Sequence, residues 1–224
     1  MLKNLKEKLK KRLKNKQVIP LTYSLTAIVN SIAVFLYIYF MQIQVSNSIK
    51  LEDISLINHG DLTDLMREIY PPMYHHLWED KGEWYLKELY SKENLQKELL
   101  EENQEYYFVL YKEENIGILR MISNVDFNGI PDEKTIMLHR IYLHPKTQGK
   151  GLGKELLNWI ENISKERKKE TLWLKAMDTQ EQALHFYQNS GFSIIKKTTL
   201  EFSLLYIHLR GMYVMSKNLV LRTS

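Results

Sequence analysis

Three groups of residues in this 224-residue chain have the types and spacing to do chemistry. Gln148-Gly149-Lys150-Gly151-Leu152-Gly153-Lys154 is a glycine-spaced loop between a run that reads as a strand (Leu138, Ile141, Tyr142, Leu143) and a run with helical spacing (Leu152, Leu156, Leu157, Ile160, Ile163). A strand, a glycine turn and a helix start make an anion site. The backbone approaches closely, the first-turn N–H groups lack helical partners, and the helix dipole favours negative charge. A phosphate is the guest this implies. Tyr187 and His139 are the second and third groups: a phenol that stays protonated at neutral pH, and an imidazole that titrates near it.

The spacing excludes the familiar nucleotide loops. A P-loop needs GxxxxGK[ST], but Glu155 follows Lys154, leaving no hydroxyl for magnesium. A dinucleotide fingerprint needs GxGxxG, whereas Gly149, Gly151 and Gly153 give GxGxG. The pattern that fits is [QR]xxGx[GA], met by Gln148, Gly151 and Gly153, and here the chain resembles the GNAT superfamily of N-acetyltransferases, whose acetyl-CoA pyrophosphate loop has this form. Trp173 to Phe192 resembles that family's second signature. Ala183, Phe186, Tyr187, Gly191 and Phe192 match, while Gln180 replaces the usual asparagine.

The resemblance covers most of residues 43 to 218. It implies an α/β GNAT fold, with a mixed central sheet of about six to seven strands flanked by about four helices. It also implies acetyl transfer from acetyl-CoA, as co-substrate, to a primary amine of a small molecule, polyamine-like or amino-acid-like, by direct attack through a tetrahedral intermediate. In similar enzymes two parallel strands splay apart and the pantetheine arm lies between them. Backbone of Ile141, Tyr142 and Leu143 would then pair with the arm and point an N–H at the thioester oxygen. Gln148 to Lys154 would hold the pyrophosphate, with Lys150 or Lys154 adding charge, and Gln180 would contact the arm. Tyr187 is the candidate general acid for the departing thiolate, with packing beside Phe186 as its structural alternative. The base is open. Many relatives carry glutamate on the strand before the loop; period-two alternation puts Met137, His139 and Ile141 on that face, so His139 is the candidate.

The remaining chain bounds these readings. With no cysteine, disulfides, thiolate metal sites and a cysteine nucleophile are excluded. His75-His76 has no third ligand spaced to join it, so no metal is expected. The net charge is +4, but the first forty residues hold eight Lys/Arg and one acid, +7, which leaves residues 41–224 at −3. Such a body gives no reason to expect nucleic acid.

Residues 1–40 have their own composition: a basic run to Lys16, then no charge from Gln17 to Ile49. Val18 to Val45 is long enough for a bilayer, which takes about 20 residues. Positive-inside orientation would send the following domain away from cytoplasmic acetyl-CoA. A cytoplasmic domain from residue 41 to 224, with an interfacial or dispensable extension or a start at Met41, removes the conflict. Three readings stay open: a cytoplasmic amine acetyltransferase, a GNAT module that binds acyl-CoA without catalysis, and a membrane-tethered form. A homodimer also stays open.

Within the body, Asp61 is expected to cap a helix ended by Pro71-Pro72, and Ser91 a second one. Tyr106–Tyr111 and Ile116–Ile122 read as a hairpin. Thr171–Ala176, Phe192–Ile195 and Met212–Met215 read as strands, and Asp178 with Glu181 as a capping box. Aromatics and acids between Tyr70 and Tyr90 admit two readings: a cation site, or a helix pair whose rings cover the core.

Overall fold

A computed structural model describes residues 42–220, within a compact unit spanning Met41–Ser224. Both the basic run and nearly all of the candidate membrane stretch lie outside the described residues; its last part, Gln42–Gln44, is the first strand. Among the described residues no helix is long and apolar enough to cross a membrane.

Among the described residues eight strands form one sheet: β1 (Gln42–Gln44), β2 (Ile49–Asp53), β3 (Gln104–Tyr111), β4 (Glu114–Ser123), β5 (Thr135–Leu143), β6 (Thr171–Met177), β7 (Ser193–Thr199) and β8 (Gly211–Asn218). Their order is β1-β2-β3-β4-β5-β6-β8-β7, antiparallel except for the parallel pair β5–β6. Among the described residues five α-helices cover the two faces: α1 (His59–Tyr74), α2 (Glu83–Leu89), α3 (Lys92–Leu100), α4 (Leu152–Glu166) and α5 (Glu181–Asn189).

Each helix docks through an apolar stripe. On α1 the buried residues are Leu62, Leu65, Met66, Ile69 and Tyr70, one face at helical spacing, and they pack with Leu95 of α3 and Ile118 of β4. On α4 they are Leu152, Leu156, Leu157 and Ile160, packed on Leu138 of β5 and Leu174 of β6 from the other side. The hairpin turn Lys112-Glu113 holds φ at 52° and 69° without glycine, matching the strand twist.

Some expectations are corrected and others are met. α1 starts after Asn58, not Asp61, and runs through Pro71 and Pro72 to Tyr74. The prolines fall in the last turn, where their missing N–H groups leave the Arg67 and Glu68 carbonyls without helical donors but no further turn has to follow, and the Pro71 carbonyl accepts from His75 Nδ1 at 2.6 Å. Asp178 caps nothing; α5 begins after Gln180, and Asp178 pairs with Lys197 at 2.7 Å beside Gly211. The Tyr70–Tyr85 aromatics are core: the two rings stack at 4.4 Å and Trp78 Nε1 donates to the Tyr70 hydroxyl at 2.9 Å. Asp80 accepts from the backbone amides of Gly82 and Trp84 at the start of α2. Ser91 does cap α3, accepting from the Asn94 amide at 3.1 Å.

Candidate active site

The sheet opens in its middle. β5 and β6 pair in register only from Thr135↔Thr171 to Leu138↔Leu174; beyond that point β5 continues to Leu143 along β4 and β6 continues to Met177 along β8. A split therefore begins at His139 and Lys175. The His144 amide donates to the Ile116 carbonyl of β4 at 2.7 Å, so in an antiparallel ladder Tyr142 also turns its backbone to β4, whereas Ile141 and Leu143 turn theirs into the split.

A bulge fixes this phase. Arg120 of β4 lies opposite Arg140 while Met121 lies opposite Leu138, so His139 is an extra residue in β5. Side-chain alternation slips by one across it: Ile136 and Leu138 face the α4 core before the bulge, Ile141 and Leu143 after it. Met137, His139 and Ile141 thus do not share one face, because strict period-two alternation fails at a bulge. Gly117 permits the close β4–β5 approach beyond it; a β-carbon there would stand 2.2 Å from the Tyr142 carbonyl oxygen.

At the C-terminal end of β5 the chain turns through Pro145–Thr147 into the glycine loop. Gly149 and Gly151 both take φ of 76°, a conformation that excludes most side chains, and Gly151 immediately precedes α4. The Lys154 and Glu155 amides turn back to the Gly151 carbonyl at 3.0 and 3.1 Å. Gln148 to Gly151 and Lys154 are exposed, Gly153 is half-buried, and the Leu152 side chain anchors the turn in the core. The Lys150 ammonium stands 5.5 Å over the Tyr111 ring. Gly153 faces Phe186, with room for a β-carbon at 3.6 Å.

Tyr187 of α5 is buried beside Phe186 and Phe192 on the α4–α5 face. Burial raises its pKa above the usual phenol value, and the Tyr74 phenol adds to the rise. Tyr74 belongs to α1 on the opposite face, so the two phenols sense each other where the sheet is open. Tyr142 joins from β5: its hydroxyl lies 3.4 Å from that of Tyr85, and its ring meets Tyr74 edge-on at 5.6 Å. Gln180 Nε2 donates to the Met73 carbonyl at 3.4 Å, which ties the β6–α5 turn to the end of α1. Tyr74 and Tyr85 belong to the aromatic set that the sequence offered either as a cation site or as core cover; Met73 was not singled out, since nothing local marks its carbonyl as a partner for Gln180.

His139 is held differently. Its Nδ1 lies 2.9 Å from Arg120 Nη1. Arg120 also reaches Glu101 at 2.5 Å, and Arg140 grips both carboxylate oxygens of Glu98 at 2.7 and 2.8 Å. Burial first, then the guanidiniums of Arg140 and Arg120, push the His139 pKa down to about 3. Such an imidazole accepts a proton poorly at neutral pH. Among the described residues no group of three His, Cys, Asp or Glu is placed to hold a metal.

Comparison with known proteins adds three findings. A family model described as acetyltransferase (GNAT) family matches residues 63–192. Among curated proteins, an uncharacterised N-acetyltransferase of Lactobacillus delbrueckii subsp. lactis is 28% identical over 109 residues, 49% of this chain and 63% of that protein. The L-amino acid N-acyltransferase MnaT of Escherichia coli K12 is 33% identical over 89 residues, 39% of this chain and 51% of that protein. The chain thus spans 63% and 51% of the lengths of these two relatives. Among solved structures, the PaiA N-acetyltransferase of Thermoplasma acidophilum in complex with coenzyme A superposes with a TM-score of 0.59 at 22% identity, over 76% of this chain and 99% of that one.

Proposed function

The chain belongs to the acetyltransferase (GNAT) family, and from that premise we propose that it transfers the acetyl group of acetyl-CoA to a primary amine of a small molecule, amino-acid-like or polyamine-like. The observation that carries this reading is the split between β5 and β6, edged by the unpaired backbone of Ile141 and Leu143 and leading directly into the Gln148–Lys154 loop.

The roles follow from what each group offers. Ile141 and Leu143 pair with the pantetheine arm as a missing strand would, and one of their N–H groups stabilises the thioester oxygen as negative charge develops. Gly149, Gly151, Leu152 and Gly153 turn first-turn amides to the pyrophosphate, with Gln148 at the loop's entrance and Lys150 and Lys154 supplying positive charge. Tyr142 keeps its backbone on β4 and lines the acceptor side with its ring. Gln180 closes the end of the split rather than gripping the arm. Tyr187 donates its phenolic proton to the departing sulfur. Its raised pKa keeps the proton in place until thiolate charge appears. No step needs His139 as a base: the amine attacks as the free base and its proton leaves to solvent.

The binding-module reading has one observation in its favour, the engagement of His139 by Arg120. Release of free CoA decides between them. The protein is incubated with acetyl-CoA and amino acids, polyamines, amino-sugars and peptide N-termini. Turnover with one class establishes the transferase. CoA binding with no turnover of any class leaves the module.

A further inference from the structure

The fork of the split carries two side chains that the acetyl-transfer roles leave unused. His139 and Lys175 are the first residues beyond the last β5–β6 pair, Leu138↔Leu174, so they stand across from each other where the strands part. They share a face. His139 reaches Arg120, whose guanidinium also touches Glu98 of α3 and Glu101 just after it, which puts the imidazole on the α1–α3 side. Lys175 alternates with Trp173 and Met177, and Met177 packs in the same cluster as α1 to α3.

The protonation of His139 is decided by its neighbour. A guanidinium is only a donor, so Nδ1 must accept, and the ring proton sits on Nε2. His139 therefore offers an N–H. Behind it, Arg120 and Arg140 are matched by Glu98 and Glu101. Lys175 is exposed and has no ion-pair partner among the described residues, and its charge reaches the imidazole. On the same face of β6, Trp173 Nε1–H is buried without a partner among the described residues. The fork thus presents N–H donors and one free positive charge. The carboxylates behind the fork, Glu98 and Glu101, are already engaged by Arg120 and Arg140, so an ammonium-rich chain finds no free anion among the described residues there. An oxygen anion finds two donors.

We infer that the fork is a carboxylate subsite, in which His139 Nε2–H and Lys175 Nζ hold the carboxylate of the acceptor and so select amino-acid-like amines over polyamines. The inference rests on the acetyltransferase reading and names the substrate class within it. In this role His139 and Lys175 are binding residues, and no proton passes through either.

Calorimetry on the protein–CoA complex tests it, with L-amino acids against the amines lacking only the carboxyl group, and with spermidine; the same compounds are run in turnover. The carboxylate is expected to tighten binding and lower KM by at least about tenfold, the worth of a charge-assisted pair of hydrogen bonds. Lys175→Met should remove most of that preference, Lys175→Arg should keep it, and His139→Asn, which retains an N–H, should keep more of it than His139→Leu. CoA binding serves as the folding check for every variant, and the exposed Lys175 avoids the buried network. A preference unchanged in Lys175→Met, or spermidine bound and turned over as well as the amino acids, overturns the subsite while the transferase reading stands. Loss of CoA binding by the wild-type protein would instead overturn both.

Discussion

Tyr187 and His139 show how a residue's type differs from its role. Tyr187 is buried between two aromatic rings, and the proton donation proposed for it would fall to the same side chain that packs there. Tyr187→Phe should leave the acetyl-CoA KM within about threefold while lowering kcat by roughly 10²-fold, the lower end for loss of a general acid; steady-state kinetics with the best amine reads this directly. If kcat is unchanged, the residue only packs. His139 makes a second prediction, on stability. Its folded pKa is about 3 against 6.5 in an unfolded chain, so the unfolded state takes up the proton first. The contribution is fully present above about pH 6.5 and is lost as pH falls from there towards 3. Urea midpoints at pH 7 and pH 5 should drop more for the wild type than for His139→Asn. An equal drop would show that the imidazole is not held neutral.

At the scale of elements, the glycine loop and the bulged strand do the positioning. Gly151 at φ 76° needs a left-handed backbone just before α4, whereas Gly153 has ordinary backbone and space for a methyl group beside Phe186. Gly151→Ala should therefore cost about 1 kcal/mol of stability and weaken CoA binding at least tenfold, because the strained residue can only relax by turning the first amides of α4 away. Gly153→Ala should bind CoA within about threefold of wild type. Denaturant unfolding and calorimetry measure both, and equal losses would refute the assignment of the turn. The order of strands and helices around this loop was legible in the sequence because apolar periodicity, Gly and Pro mark element ends. The bulge at His139 was not. Nothing in LHRIYL distinguishes an inserted residue from a regular one, and the misassigned face of Ile141 followed from that.

Across the whole molecule, a buried charge network holds β4 and β5 to a helix residue 22 and 42 positions earlier in the chain. Glu98 of α3 grips Arg140 of β5 through both oxygens and reaches Arg120 of β4 at 3.4 Å, all three buried. Glu98→Ala leaves two guanidiniums short of a partner and should cost about 3–5 kcal/mol. Glu113→Ala, at the exposed Lys50 pair, should cost less than about 1 kcal/mol. Chemical denaturation compares the two, and similar losses would mean that the network is dispensable. Nothing in the sequence marks Arg120, Arg140 and Glu98 as buried, since charged residues are buried only when partners distant in the chain converge on them. What the sequence determined by itself was local: the glycine loop, the Tyr187 motif, the helix stripes and the hairpin, each written within a few turns of chain. Only the tertiary structure decided where β5 and β6 part, that Arg120 engages His139 Nδ1, and that Tyr142 of β5 meets Tyr74 and Tyr85 beside the split. Those depend on register and on contacts between residues far apart in sequence, which no local spacing encodes.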